Sequence, residues 1–162
     1  MSALPVSTLR ELANSQFRKM LYADLREIIL IENRAYQFCW NEGVFRDCLR
    51  AGYHCQVLAI PNGGAIQGYG VMSTAVGEAH IFNICVRPEL QRRGLARRIL
   101  DQLLGLARSD AVKTVFLEAR ASNTPALRLY STAGFCEIGL RSGYYPAAKG
   151  AREDALIMAK EL

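Results

Sequence analysis

The chain has 162 residues, 51% hydrophobic and 22% charged, which suits one domain with room for a core and excludes global disorder. A net charge of +5 admits a nucleic acid, an anionic cofactor or an acidic target without choosing among them. No apolar run reaches the roughly 20 residues that span a bilayer. Met1 to Gln16 lacks the charged start and apolar block of a secretory signal, so a cytoplasmic protein without membrane contact is expected.

In chain order, residues 25–36 have helical spacing, with Leu25, Ile28, Ile29 and Ala35 on the apolar side and Asp24 as N-cap. Glu32 ends the dense run Ile28-Ile29-Leu30-Ile31. Residues 42–51 predict a second helix, capped by Asn41 and stopped by Gly52. Residues 53–60 read as a strand, Pro61-Asn62-Gly63-Gly64 as a turn, and residues 65–74 and 79–86 as further strands. Together they predict an antiparallel meander.

The character then changes. Residues 95–108 carry Leu95, Ile99, Leu103 and Leu106 on one helical stripe, and residues 112–118 are β-rich. Residues 125–133 read as a helix, with Pro125 in the first turn, Asn123 or Thr124 as cap and Gly134 as terminator. Residues 135–140 and 155–158 are final strands, with Pro146 and Gly150 breaking the segment between them. The order predicts an α/β domain: a mixed, mostly antiparallel central sheet flanked by helices, with a strand-helix-strand crossover in its middle.

The five cysteines, Cys39, Cys48, Cys55, Cys85 and Cys136, are odd in number and none forms a C-x-x-C pair. Buried free thiols are expected. His54 and His80 have no spacing that suggests a metal site, and no metal is expected.

The segment from Ile84 to Ala96 carries the most chemistry. A strand ends, a loop follows, and a helix starts near Gly94. Backbone N–H groups at a helix start lack internal partners, and the helix dipole adds positive charge there. Gly94 offers no side chain against close approach, Ala96 is small, and Arg92, Arg93, Arg97 and Arg98 crowd the same end. Cations are unfavourable at a helix N-terminus unless an anion is present. On local physics two readings stand: a pyrophosphate seat, or a solvated basic helix start. The segment is neither a P-loop nor a G-x-G-x-x-G fingerprint.

Gln91-Arg92-Arg93-Gly94-Leu95-Ala96 resembles the Q/R-x-x-G-x-G/A motif of the GNAT N-acetyltransferase superfamily, with Ala96 in place of the last Gly. Asn83-Ile84-Cys85-Val86 is similar to that family's central strand. Leu117-Glu118-Ala119-Arg120-Ala121-Ser122-Asn123 resembles the L-E-V-R-x-S-N stretch of its ribosomal-protein-alanine N-acetyltransferase branch. Leu129-Tyr130 through Gly134-Phe135, Tyr144-Tyr145-Pro146 with Glu153-Asp154-Ala155, and Trp40 with Phe45 are similar to further stretches of that branch, in the same order. The pattern covers roughly residues 17–160. Residues 1–16 are therefore expected to form an N-terminal extension, and residues 17–162 a single domain of the GNAT fold whose crossover carries a coenzyme A site.

The resemblance implies a catalyst that moves an acetyl group from acetyl-coenzyme A, as co-substrate and without a metal, to the N-terminal α-amine of a protein. It implies a ribosomal protein beginning with alanine, and direct nucleic-acid binding is not required. Gln91, Arg92, Arg93, Gly94, Leu95 and Ala96 would hold the pyrophosphate, Ile84, Cys85 and Val86 the pantetheine arm, and Asn123 a further cofactor contact. Glu118 would be the base; its charge ends an otherwise apolar run, which by itself fits a solvated strand end equally. Tyr130 would be the acid, although helical spacing alone makes it a core aromatic beside Leu127. Trp40, Tyr144 and Tyr145 suit a peptide-binding rim, or packing on a sheet edge. Two alternatives remain open: an acetyltransferase for lysine or small amines, and a non-catalytic coenzyme-A-binding or ribosome-associated module.

Overall fold

The computed structural model describes residues 3–162. Helix α1 spans Val6–Asn14 and strand β1 spans Gln16–Lys19; α2 (Leu25–Ala35) and α3 (Glu42–Arg50) follow. The meander is β2 (His54–Ala59), β3 (Ile66–Ala75) and β4 (Glu78–Val86). Then come α4 (Leu95–Ser109), β5 (Thr114–Arg120), α5 (Thr124–Thr132), β6 (Cys136–Pro146) and β7 (Arg152–Glu161). The seven strands form one sheet in the order β1-β2-β3-β4-β5-β7-β6, antiparallel except at the β4–β5 pair that α4 connects. The expected mixed sheet and crossover are both present.

Helices cover the sheet on two sides. Leu95, Ile99, Leu100, Leu103, Leu104 and Ala107 form the buried stripe of α4 and share a core with Val115, Leu117 and Ala119 of β5. A Cβ on Gly68 would lie 2.8 Å from Ile99 Cδ1 and one on Gly70 2.8 Å from Ile99 Cγ2, so these glycines let α4 lie close on β3. A second core joins Leu25, Ile28 and Ile31 of α2 and Phe45 of α3 to Val57, Tyr69 and Val71 on the other face.

The seam between these halves opens. β4 pairs with β5 only from Glu78↔Thr114 to Ile81↔Leu117. At that point β4 bulges: Val71 faces Asn83 while Met72 faces Ile81, leaving Phe82 as the extra residue. A bulge bends its strand and adds twist. Beyond it the two strands part, and Glu118 to Arg120 pair only with β7.

Several expectations are corrected. Asp24 does not cap α2; its carboxylate accepts from the Leu21 N–H at 2.7 Å and pairs with Arg18 at 2.7 Å, closing the 3-10 turn at Tyr22–Asp24. Asn41 does cap α3, accepting from Val44 N at 3.0 Å. Cys48, Cys55 and Cys85 are buried thiols, but Cys39 and Cys136 are exposed. The last two strands run several residues longer than their apolar cores predict; β6 lies at the sheet edge, where pairing with exposed side chains needs no hydrophobic pattern, and β7 pairs with it and with β5 along its length. α1 and β1 carry no sequence signal strong enough to predict them; α1 buries Leu12, and the Ser15 hydroxyl donates to Leu12 O at 2.6 Å where the chain turns into β1.

Candidate active site

The end of β4 is held firmly. Arg87 N donates to Gln67 O at 2.8 Å, and the Arg87 guanidinium pairs with Glu27 at 2.8 Å and donates to Ile66 O. Gln91 Nε2 donates to Val86 O at 3.2 Å. The chain then passes through left-handed backbone at Arg92 (φ 62) and Gly94 (φ 79) before α4 begins. The first bond inside α4 runs from Arg98 N to Gly94 O at 3.1 Å, so the preceding amides lie free of the helix ladder. A Cβ on Gly94 would meet nothing within 4 Å; the approach to these amides is open.

Of the four arginines expected here, Arg92 and Arg93 are exposed on the turn. Arg97 instead pairs with Asp101 at 3.1 Å. Arg98 reaches away to Ser15 O and Oγ, both at 3.2 Å, and fastens α1 and β1 to the domain. The crowding seen in the sequence is therefore half structural.

A cavity of about 330 Å³ occupies the gap between the parted strands. Val115, Leu117 and Ala119 face α4, and the period of two along a strand turns Glu118 to the opposite side, into this cavity. The Glu118 side chain is 12% exposed, with Arg141 Nε 3.1 Å from Oε1. Across the gap, α5 presents Tyr130. Its ring packs edge-on against Phe135, and burial pushes its hydroxyl up to about 12, so it keeps its proton at neutral pH. Asn123 lines the cavity and caps α5, accepting from Ala126 N at 3.3 Å.

One rim of the cavity comes from two connections. Tyr36, Phe38 and Trp40 follow α2, and Tyr145 and Pro146 end β6. Trp40 packs edge-on against Phe45. Burial, and then the charge of Glu118, pushes the Tyr145 hydroxyl up to about 12. Tyr144 lies outside the cavity; its ring supports the Arg141 guanidinium, which lies 5.1 Å from the centroid. Cys85 and Val86 turn their side chains into the two cores.

Three residues that line the cavity are not among those expected from the sequence. The Tyr36 hydroxyl donates to Ile84 O at 2.6 Å, linking the rim to β4. Arg120 bridges the two halves of the rim: its guanidinium lies 4.9 Å from the Phe38 ring and 4.5 Å from the Tyr145 ring. It also donates to Pro146 O at 2.8 Å and pairs with Glu153 at 3.3 Å. Glu32 is buried in the cavity wall. Their only sequence signals are a charged residue inside an apolar run and an arginine at the end of an alternating strand.

Among the described residues, no group of three or more His, Cys, Asp or Glu could hold a metal, and no helix is long and apolar enough to cross a membrane. The turn at Gly94 and the stretch of β4 without a β5 partner instead suit an extended ligand with a phosphate group at one end. Residues 22–135 match the acetyltransferase (GNAT) family.

The chain belongs to this family.

Over 136 residues this GNAT protein is 38% identical to the ribosomal protein bS18 alanine N-acetyltransferase of Escherichia coli K12, covering 84% of this chain and 90% of that one. The crystal structure of the ribosomal-protein-S18-alanine N-acetyltransferase from Escherichia coli superposes with a TM-score of 0.83 at 37% identity, over 91% of this chain and 93% of that one. A likeness of fold alone extends to yncA from Salmonella typhimurium, solved with acetyl-coenzyme A. Its TM-score is 0.74 at 20% identity, over 92% of this chain and 94% of that one. The GNAT chain is an acetyl-coenzyme-A-dependent N-acetyltransferase.

Proposed function

We propose that the chain acetylates the N-terminal α-amine of a protein, and that this protein is a small-subunit ribosomal protein beginning with alanine. The observation that carries the reading is the pairing of Glu118 and Tyr130 on the walls of one cavity, at the gap between β4 and β5. The likeness to the Escherichia coli enzyme supports the choice of substrate.

The residues present suit acetyl-coenzyme A. Gly94 and the free amides of Leu95 and Ala96 would take the pyrophosphate, with Gln91 shaping the turn and Arg92 and Arg93 adding charge. The backbone of Ile84, Cys85 and Val86 would align the pantetheine arm, and Asn123 would hold it from α5. The bound co-substrate supplies an activated acetyl thioester.

An α-amine has a pKa near 8 against about 10.4 for lysine, so on the order of a tenth of it is neutral at neutral pH and a modest base suffices. Glu118, directly or through water, takes the proton the attacking nitrogen sheds. Tyr130, still protonated, donates a hydrogen bond to the sulfur as it leaves. Trp40 and Tyr145 flank the entering peptide; Tyr144 acts from outside by steadying Arg141. Holding both reactants in this geometry contributes several kcal/mol to lowering the barrier.

Mass spectrometry of two peptides tests the reading. One begins with a free alanine and contains an internal lysine; the other has the same sequence with a blocked N-terminus. Acetyl on the free N-terminus alone is expected. Acetyl on the lysine of the blocked peptide would make the chain a lysine enzyme instead.

A further inference from the structure

Glu32 is 1% exposed yet contributes to the cavity wall beside Tyr36, Trp40 and Asn83. Its hydrogen-bond donors are all neutral. Oε1 accepts from the Trp40 backbone N–H at 3.2 Å, the Asn83 amide lies 3.3 Å from Oε2, and the Tyr69 hydroxyl donates to Oε2. The titratable groups that face it are Tyr36 from the rim, Cys39 from the same connection, Tyr69 from β3 and Cys85 from β4. Burial pushes each of these upward, so none is charged at neutral pH. Among the described residues, every ion pair joins other groups, and none includes Glu32.

The other carboxylate of the cavity differs. Arg141 lies 3.1 Å from Glu118 and offsets its charge. Hydrogen bonds from neutral groups satisfy the lone pairs of Glu32 but supply no counter-charge, in a low-dielectric wall where a field is weakly screened. A buried carboxylate is otherwise costly unless a cation meets it. The cation that an N-terminal acetyltransferase brings to this cavity is the substrate's own α-ammonium.

We propose that Glu32 is the electrostatic anchor for the α-ammonium of the substrate, and that Glu118 is the group that receives its proton. The inference rests on the N-terminal reading of the site. It divides the work between two carboxylates: Glu32 favours the charged amine on entry, and Glu118 discharges it. Glu32 also ties the Trp40 connection to β3 and β4, so the negative charge and the peptide rim are fixed together.

The test compares two ligands on the full chain with coenzyme A bound: an alanine-initiated peptide, and the same peptide with the α-amino group replaced by hydrogen. Wild type should bind the amine peptide more tightly. Glu32→Gln should cut that preference on the order of tenfold while leaving the affinity for the des-amino peptide unchanged. Tyr69→Phe, which disturbs the same network but keeps the charge, should retain the preference or increase it. A preference that survives Glu32→Gln would overturn the anchor alone. Equal weakening of both peptides, or a Tyr69→Phe variant that behaves like Glu32→Gln, would mean that Glu32 only holds structure. If Glu32→Gln does not fold, a preference lost in Tyr69→Phe overturns the proposal and a preference retained supports it. A wild type without any amine preference would overturn the N-terminal reading itself.

Discussion

Glu118 and Tyr130 reach the same cavity by different routes. Glu118 was legible as a charge that ends an apolar run, but its role came only through the family pattern; the alternation that turns it away from α4 emerges in the fold. Tyr130 was legible only through the family pattern, since its helical spacing is that of an ordinary core aromatic and its ring does pack on Phe135. Glu32, Tyr36 and Arg120 were not legible as site residues. Each acts through partners distant in sequence, such as Asn83 for Glu32 and Ile84 for Tyr36. The roles predict that Glu118→Gln and Tyr130→Phe each lower kcat on the order of 10²-fold or more, with coenzyme A affinity nearly unchanged in a direct binding titration. The raised Tyr130 hydroxyl adds a pH signature. Its protonated form persists above the ordinary tyrosine value of 10.0, so the wild-type to Tyr130→Phe rate ratio should hold constant from neutral pH to that value. A ratio that falls by half there would show an unperturbed phenol.

At the scale of elements, the β4-α4-β5 crossover does most to build the site. The sequence reading located it from an apolar stripe and a glycine, and the helix begins where expected, at Leu95. The bulge at Phe82 was invisible, because a single extra residue in a strand leaves no compositional trace. α1 was missed since it buries only Leu12, and β1 because four mostly exposed residues make no pattern. Gly94 is the residue of this element whose proposed role can be tested apart from Glu118 and Tyr130. Its positive φ disfavours any side chain by about 1 kcal/mol, while its outward direction is sterically open. Gly94→Glu should therefore leave the fold intact in thermal unfolding but weaken acetyl-coenzyme A binding, through a carboxylate set beside the phosphate. Unchanged affinity would remove the pyrophosphate from this turn.

On the scale of the molecule, the sheet is covered in two halves, by α4 on one face and by α2 and α3 on the other, and the cavity opens at the seam where β4 and β5 part. The meander and the crossover were readable from turn residues and periodicity. The parting was not, because it depends on which strand each residue pairs with. Arg120 closes the rim by linking the connection after α2 to the end of β6, so the cavity mouth is assembled from segments more than a hundred residues apart. On the proposed function, this mouth admits a protein N-terminus to the chemistry at the seam. The most direct measurement incubates the chain and acetyl-coenzyme A with purified small-subunit ribosomal proteins and maps the acetyl group by tandem mass spectrometry. Acetylation of an alanine-initiated protein at its α-amine, lost in Glu118→Gln, is expected. Acetyl groups confined to lysine side chains, or none on any N-terminus, would contradict it.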